Sequence, residues 1–125
     1  MDKQRVLRFR AWDRVLNFMV SDLAYFIRMD GTVFFDNGGE YYDQSEKLHV
    51  MQFTGLLDSN GVAIYEGDIY RVLVRGWNDG GMGDRWESSL VTFDSGKFSV
   101  ASAERVEVIG NIYENPDLIP KGEQA

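Results

Sequence analysis

The chain has 125 residues, a formal charge of −7, no cysteine, 44% hydrophobic residues and 14% aromatic ones. That length suits one folded domain, or a domain with a small appended lobe, hiding roughly two thirds of its unfolded surface without disulfide or metal staples. Without cysteine there are no disulfides, zinc thiolates, thiol nucleophiles or iron–sulfur clusters, and the acidic balance opposes a surface built to track phosphates.

Residues 5–12 (RVLRFRAW) alternate as a strand does, with Leu7, Phe9 and Ala11 on one face and Arg8 and Arg10 on the other. Arg5, Arg8 and Arg10 form the densest positive stretch, read either as solvated outward positions or as a contact for an anionic partner. Asp13–Arg14 makes a turn. Residues 15–20 can extend a hairpin, whereas Ser21–Asp22 followed by Leu23, Phe26 and Ile27 at helical spacing predicts a short helix ending near Asp30–Gly31. Thr32 to Phe35 reads as a strand, 36–47 as a polar loop turning at Asn37–Gly38–Gly39, and 48–54 as another strand.

Asp58–Ser59–Asn60–Gly61 is a tight reversal, because Asn and Gly tolerate positive φ. Glu66–Gly67–Asp68 leads into the strand 69–75, and a Gly–Asp pair opening a β-branched strand is frequent in SH3-like barrels. Residues 76–84 (GWNDGGMGD) form a Gly-rich connection. The hairpin VTFDSGKFSV (91–100) turns at Asp94–Ser95–Gly96, a strand follows at 105–109, and Asn115–Pro116 starts one helical turn before Pro120.

The chemistry is sparse. His49 is the single histidine, set in the strand LHVMQFT, and no adjacent nucleophile and carboxylate complete a triad. Glu40, Asp43, Asp58, Glu66, Asp68, Asp79 and Asp84 are scattered through turns without the D-x-D-x-D-G order of a calcium loop. The sequence therefore assigns no catalytic residue, metal ligand or cofactor. The Gly-rich segment lacks the G-K-[ST] ending of a phosphate loop. It reads instead as a recognition loop flanked by Trp77 and Trp86 and carrying Asp79, Asp84 and Arg85, with Arg8 and Arg10 as further candidate binding residues. The simpler reading, which ranks above it, is a long hairpin loop whose tryptophans cover the barrel.

Four strings stand out: FRAWD at 9–13, MQFTGLLDSNGVAIYEGDIY at 51–70, VTF…GKFSV within 91–100, and VEVIGNIYENPDLI at 106–119. In this order they resemble the YopX family of phage and prophage proteins. The resemblance implies a phage-derived protein acting in a bacterial cytoplasm, mainly β with a barrel-like part, and self-association; it brings no reaction, cofactor or catalytic residue.

The expected architecture is thus mainly β, with a small SH3-like barrel at 58–115 packed against an N-terminal β-rich part at 1–57, at most one or two short helices, and a short turn and polar tail at 116–125. No apolar run approaches the roughly 18 residues of a membrane helix, and the start MDKQRVLRFR lacks the apolar centre of a signal peptide, so a cytoplasmic protein without membrane contact is expected. The leading function is a non-enzymatic module binding a protein partner or itself. A nucleic-acid-binding barrel is the alternative, disfavoured by net charge, and a carboxylate-based hydrolase ranks below both.

Overall fold

The computed structural model describes residues 6–20, 25–76, 83–101 and 105–121. The chain is mainly β, and it divides into an N-terminal unit, 8–52, and a C-terminal unit formed by 53–125 with the first seven residues.

The N-terminal unit contains β1 (Phe9–Asp13), β2 (Phe18–Val20), β3 (Tyr25–Ile27), β4 (Val33–Asn37), β5 (Glu40–Asp43) and the first half of β6 (Leu48–Leu57). β1 pairs antiparallel with β2 and with β6, placing Ala11 opposite Val20 on one side and Val50 on the other. Ala11, Val20, Val33 and Leu48 form this unit's core, with Tyr25 and Val50 packed against it. The β1–β2 turn is built by Asp13, whose fully buried carboxylate accepts the amides of Val15 and Leu16 at 2.9 and 2.8 Å.

Three details of this unit correct the sequence reading. Phe26 and Ile27 lie in a strand rather than in the helix expected to end near Asp30–Gly31; residues 21–24 lie outside the described set. Tyr25, Phe26 and Ile27 pair with Phe35, Phe34 and Val33, so the spacing mistaken for a helical stripe is a strand whose two faces are both apolar. Residues 40–43, expected in a loop, form β5. Gly38 and Gly39 have φ of +64° and +97°, the consecutive positive values of a two-residue hairpin turn, which sets Asn37 opposite Glu40. Arg10, read as a solvated outward position, is half-buried beside the fully buried Met51, its Nη2 3.8 Å from the methionine sulfur.

The C-terminal unit holds the rest of β6, then β7 (Ala63–Tyr65), β8 (Asp68–Val74), β9 (Arg85–Leu90), β10 (Phe93–Asp94), β11 (Lys97–Phe98) and β12 (Val106–Asn111), followed by a 3₁₀ turn at Pro116–Leu118. β8 is central in the antiparallel order β12-β8-β9, and β12 carries a register shift between Val108 and Gly110 that bends it. The described pairings give β9 and β12 no second neighbour, so they do not confirm the SH3-like placement. Ile64, Tyr70, Val91 and Val106 form the core here, joined by Val72, Val100 and Val108. The expected 91–100 hairpin is present as β10–β11, with Phe93 against Phe98.

Buried polar groups fix the connections. The Asp58 Oδ1 accepts the amides of Asn60 and Val62 at 2.8 and 2.9 Å, while its Oδ2 accepts that of Val108 at 2.9 Å. Asp68 accepts the Tyr65 amide at 2.8 Å, and Asn111 Oδ1 accepts those of Tyr113 and Glu114. At Gly110 a Cβ would lie 2.5 Å from the Asn115 Oδ1, so this close approach admits only glycine without a shift. Asn115 does not cap the following turn with its side chain; its Oδ1 accepts the Asn111 amide instead.

Burial alone would raise the carboxyl of Asp58, but the amides of Val108, Val62 and Asn60 outweigh it and hold the group below its ordinary value. Asp13 is likewise held low against burial by the Leu16 and Val15 amides and by Lys47. A depressed folded pKa puts the stabilisation above the unfolded carboxyl's titration near pH ~4, and removes it as pH falls through the lower folded value. Asp58→Asn places an NH₂ group against at least one amide that now meets oxygen, and should cost about 2–4 kcal/mol at neutral pH. It should also flatten the loss of stability on acidification. Urea denaturation between neutral and acid pH checks both, and a cost below about 0.5 kcal/mol would remove Asp58 from this role.

Candidate functional site

Alternation along β3, β4 and β5 gives their sheet two unlike faces. Tyr25 and Val33 turn toward the core of the N-terminal unit, and the Tyr25 and Phe35 rings lie 5.2 Å apart. On the opposite face Phe26 sits across from Phe34, Phe34 across from Asp43, and Tyr41 across from Asp36. The Phe26 and Phe34 rings stack at 5.7 Å, and Tyr41 meets Phe26 edge-on at 5.5 Å. The Arg28 guanidinium lies 5.3 Å over the Phe34 ring. Phe26, Arg28, Phe34 and Tyr41 line a cleft of ≈ 340 Å³.

Two of its rings are open to solvent, Phe26 at 38% and Tyr41 at 62%. A sheet face with one buried side normally shows polar residues on the other, so three grouped aromatics on the outward side exceed what cross-strand pairing alone asks of that face. Arg28 also acts on Asp30, whose carboxyl is held low first by the Thr32 hydroxyl, then by the Thr32 amide, with the Arg28 charge adding to both. Asp43 is held low by the hydroxyl and amide of Ser45, so both acids are ionised at neutral pH.

Of the residues singled out in the sequence, Trp77 and Asp79 lie outside the described residues. Arg85 and Trp86 open β9, and Asp84 immediately precedes it. Trp86 is 39% exposed, with the Arg71 guanidinium 4.1 Å and the Arg105 guanidinium 5.7 Å from its ring. Both arginines pair with Glu107, at 2.7 and 2.9 Å, while Arg75 pairs with Asp84 and Arg85 with Glu87. Glu107 is held low first by its hydrogen bond to Arg71, with the Arg71 charge and the Arg105 hydrogen bond and charge contributing. Arg10 belongs to β1 in the N-terminal unit, and Arg8 precedes that strand, whereas Trp86 belongs to the C-terminal unit. His49 stands opposite Trp12 in the β1–β6 pairing.

Sequence reasoning missed the aromatic cleft. Its signal was the alternation of Phe34, Asp36, Tyr41 and Asp43 about the Asn37–Gly38–Gly39 turn, obscured by reading 36–47 as a loop. Among the described residues no group of three or more His, Cys, Asp or Glu is placed to hold a metal ion, and no helix is long and apolar enough to cross a membrane.

The fold and the cleft together define a mainly β protein of two small units with an exposed aromatic face on one of them. Residues 8–120 match the family described as YopX protein, and the chain belongs to that family. Its fold is similar to that in the crystal structure of protein EF1440 from Enterococcus faecalis, with a TM-score of 0.64, 24% identity, and coverage of 94% of this chain and 100% of that one. No curated protein matches the chain.

Because Tyr41 is exposed and outside both cores, Tyr41→Ala should change stability by no more than about 1 kcal/mol, the edge-on contact with Phe26 being its main loss. Thermal or urea unfolding checks this. A loss above about 3 kcal/mol would make the ring a structural element.

Proposed function

We propose that this protein is a non-enzymatic binding module of phage type, engaging a protein partner through the outward face of the β3–β4–β5 sheet. One observation carries the reading: Phe26, Phe34 and Tyr41 are grouped on the side of the sheet that the core does not use. Aromatic side chains supply large contact area at low entropic cost and concentrate where partners dock. Membership of the YopX family fits a phage-type protein, and action in the host cytoplasm follows from that proposal.

The carboxylates support a role without catalysis. Asp13 and Asp58 are buried and occupied by backbone amides that keep them ionised, whereas a general acid needs a pKa raised toward neutrality. Nucleic-acid binding through Trp86 and its arginines is the weaker reading. Arg71, Arg105, Arg75 and Arg85 already face carboxylates of their own unit, which leaves little charge for phosphates.

The test uses the full chain as bait in a bacterial lysate, beside a Phe26→Ser/Tyr41→Ala variant whose folding is verified by circular dichroism. A specific protein recovered by the wild type and lost by the variant is the expected result. Recovery of the same protein by both, or of nucleic acid alone, would contradict the proposal.

A further inference from the structure

We infer that the aromatic cleft takes a Lys/Arg-rich segment of another protein, its side-chain cations stacking on the exposed rings between carboxylates. This rests on the binding-face reading above and adds the chemistry of the partner. Between Tyr25 and Glu46 the sequence holds five carboxylates, Asp30, Asp36, Glu40, Asp43 and Glu46, against the single cation Arg28, a formal −4 of the chain's −7.

Two of those acids are placed to meet a ligand in the cleft. Asp36 lies directly across from Tyr41, and Asp43 directly across from Phe34, so each flanks an aromatic position on the outward face. Their existing bonds are short-range and neutral, to the Gly39 amide for Asp36 and to the amide and hydroxyl of Ser45 for Asp43. Among the described residues neither forms an ion pair, whereas the charge of Arg28 is already felt by Asp30.

The sheet also displays the contact it would offer. Arg28 rests its guanidinium over Phe34, showing that this face accepts a cation against an aromatic ring. Tyr41 repeats the arrangement with a more exposed ring beside a carboxylate. A cation over an aromatic face gains most when partly desolvated, as in a cleft, and a nearby carboxylate adds to it. The same charges repel a phosphate backbone, which separates a basic peptide from a nucleic acid as the occupant.

The experiment measures fluorescence anisotropy of a labelled Arg-Gly repeat peptide titrated with the full chain, with a Glu-Gly repeat and oligo-dT as parallel probes. Saturable Arg-Gly binding that weakens several-fold with added salt is expected. Asp36→Asn/Asp43→Asn and Tyr41→Ala should each weaken it by about tenfold, the sum of one cation–ring contact or two partly screened charge pairs. Tyr41→Phe, which keeps the ring, should retain it and guards against a folding artefact.

No Arg-Gly binding, equal binding of Glu-Gly, or affinity unchanged in all variants would overturn the inference. So would oligo-dT binding lost on Tyr41→Ala, or self-association of the chain abolished by the same change. If the Arg-Gly peptide fails while Tyr41→Ala still loses the protein captured from lysate, the basic partner falls and the binding face stands. If Tyr41→Ala loses neither, both fall.

Discussion

The Asp58 carboxylate joins two parts of the chain that are 50 residues apart. Two of its bonds close its own reversal at Asn60 and Val62, and the third reaches the Val108 amide. The adjacent Ser59 adds a reciprocal pair with Val106: its amide donates to the Val106 carbonyl, and its hydroxyl accepts the Val106 amide. A turn that could otherwise be any surface loop is thereby fastened to β12, and β12 in turn pairs with β8, the centre of its sheet. Leaving the amide of the buried Val106 without an acceptor would cost more than the bond itself contributes.

The same logic recurs along that unit. The Gly67 amide donates to the Val91 carbonyl while its carbonyl accepts the Ile112 amide, so the Gly67–Asp68 corner links the ends of two other segments. Gly110 then leaves room for Asn115, which lets Asn111 and Asn115 organise the chain between β12 and the 3₁₀ turn. Asp13 plays the corresponding part in the N-terminal unit. The strings that carry the family resemblance thus include several residues that satisfy backbone groups at turns, among them Asp13, Asp58, Asp68, Asn111 and Asn115.

How much of this was legible follows from where the information is local. The reversal at 58–61, the corner at Gly67–Asp68 and the hairpin at 91–100 were readable because Asp, Asn and Gly at turn positions act within a few residues. The Asp58 bond to Val108 was not, since nothing near either residue points to the other. β3 was misread because Phe26 and Ile27 are both apolar, and a strand with two apolar faces loses the period of two. That ambiguity came from the candidate site itself: Phe26 is apolar on the outward face where a purely structural strand would be polar. Asp84, Arg85 and Trp86 were singled out in the sequence as candidate binding residues, but nothing local showed that Arg71 on β8 reaches both Glu107 on β12 and the Trp86 ring on β9.

On the proposed reading labour is divided: buried carboxylates of both units hold the turns, and one outward sheet face, formed by residues 26–43, serves recognition. Amide chemical shifts of the full chain, recorded while the Arg-Gly peptide is added, test that division most directly. The account expects shifts confined to 25–43, with the amides of Asn60, Val62 and Val108 unmoved. Shifts centred on Trp86 and Arg105, or spread through the Asp58 turn, would contradict it.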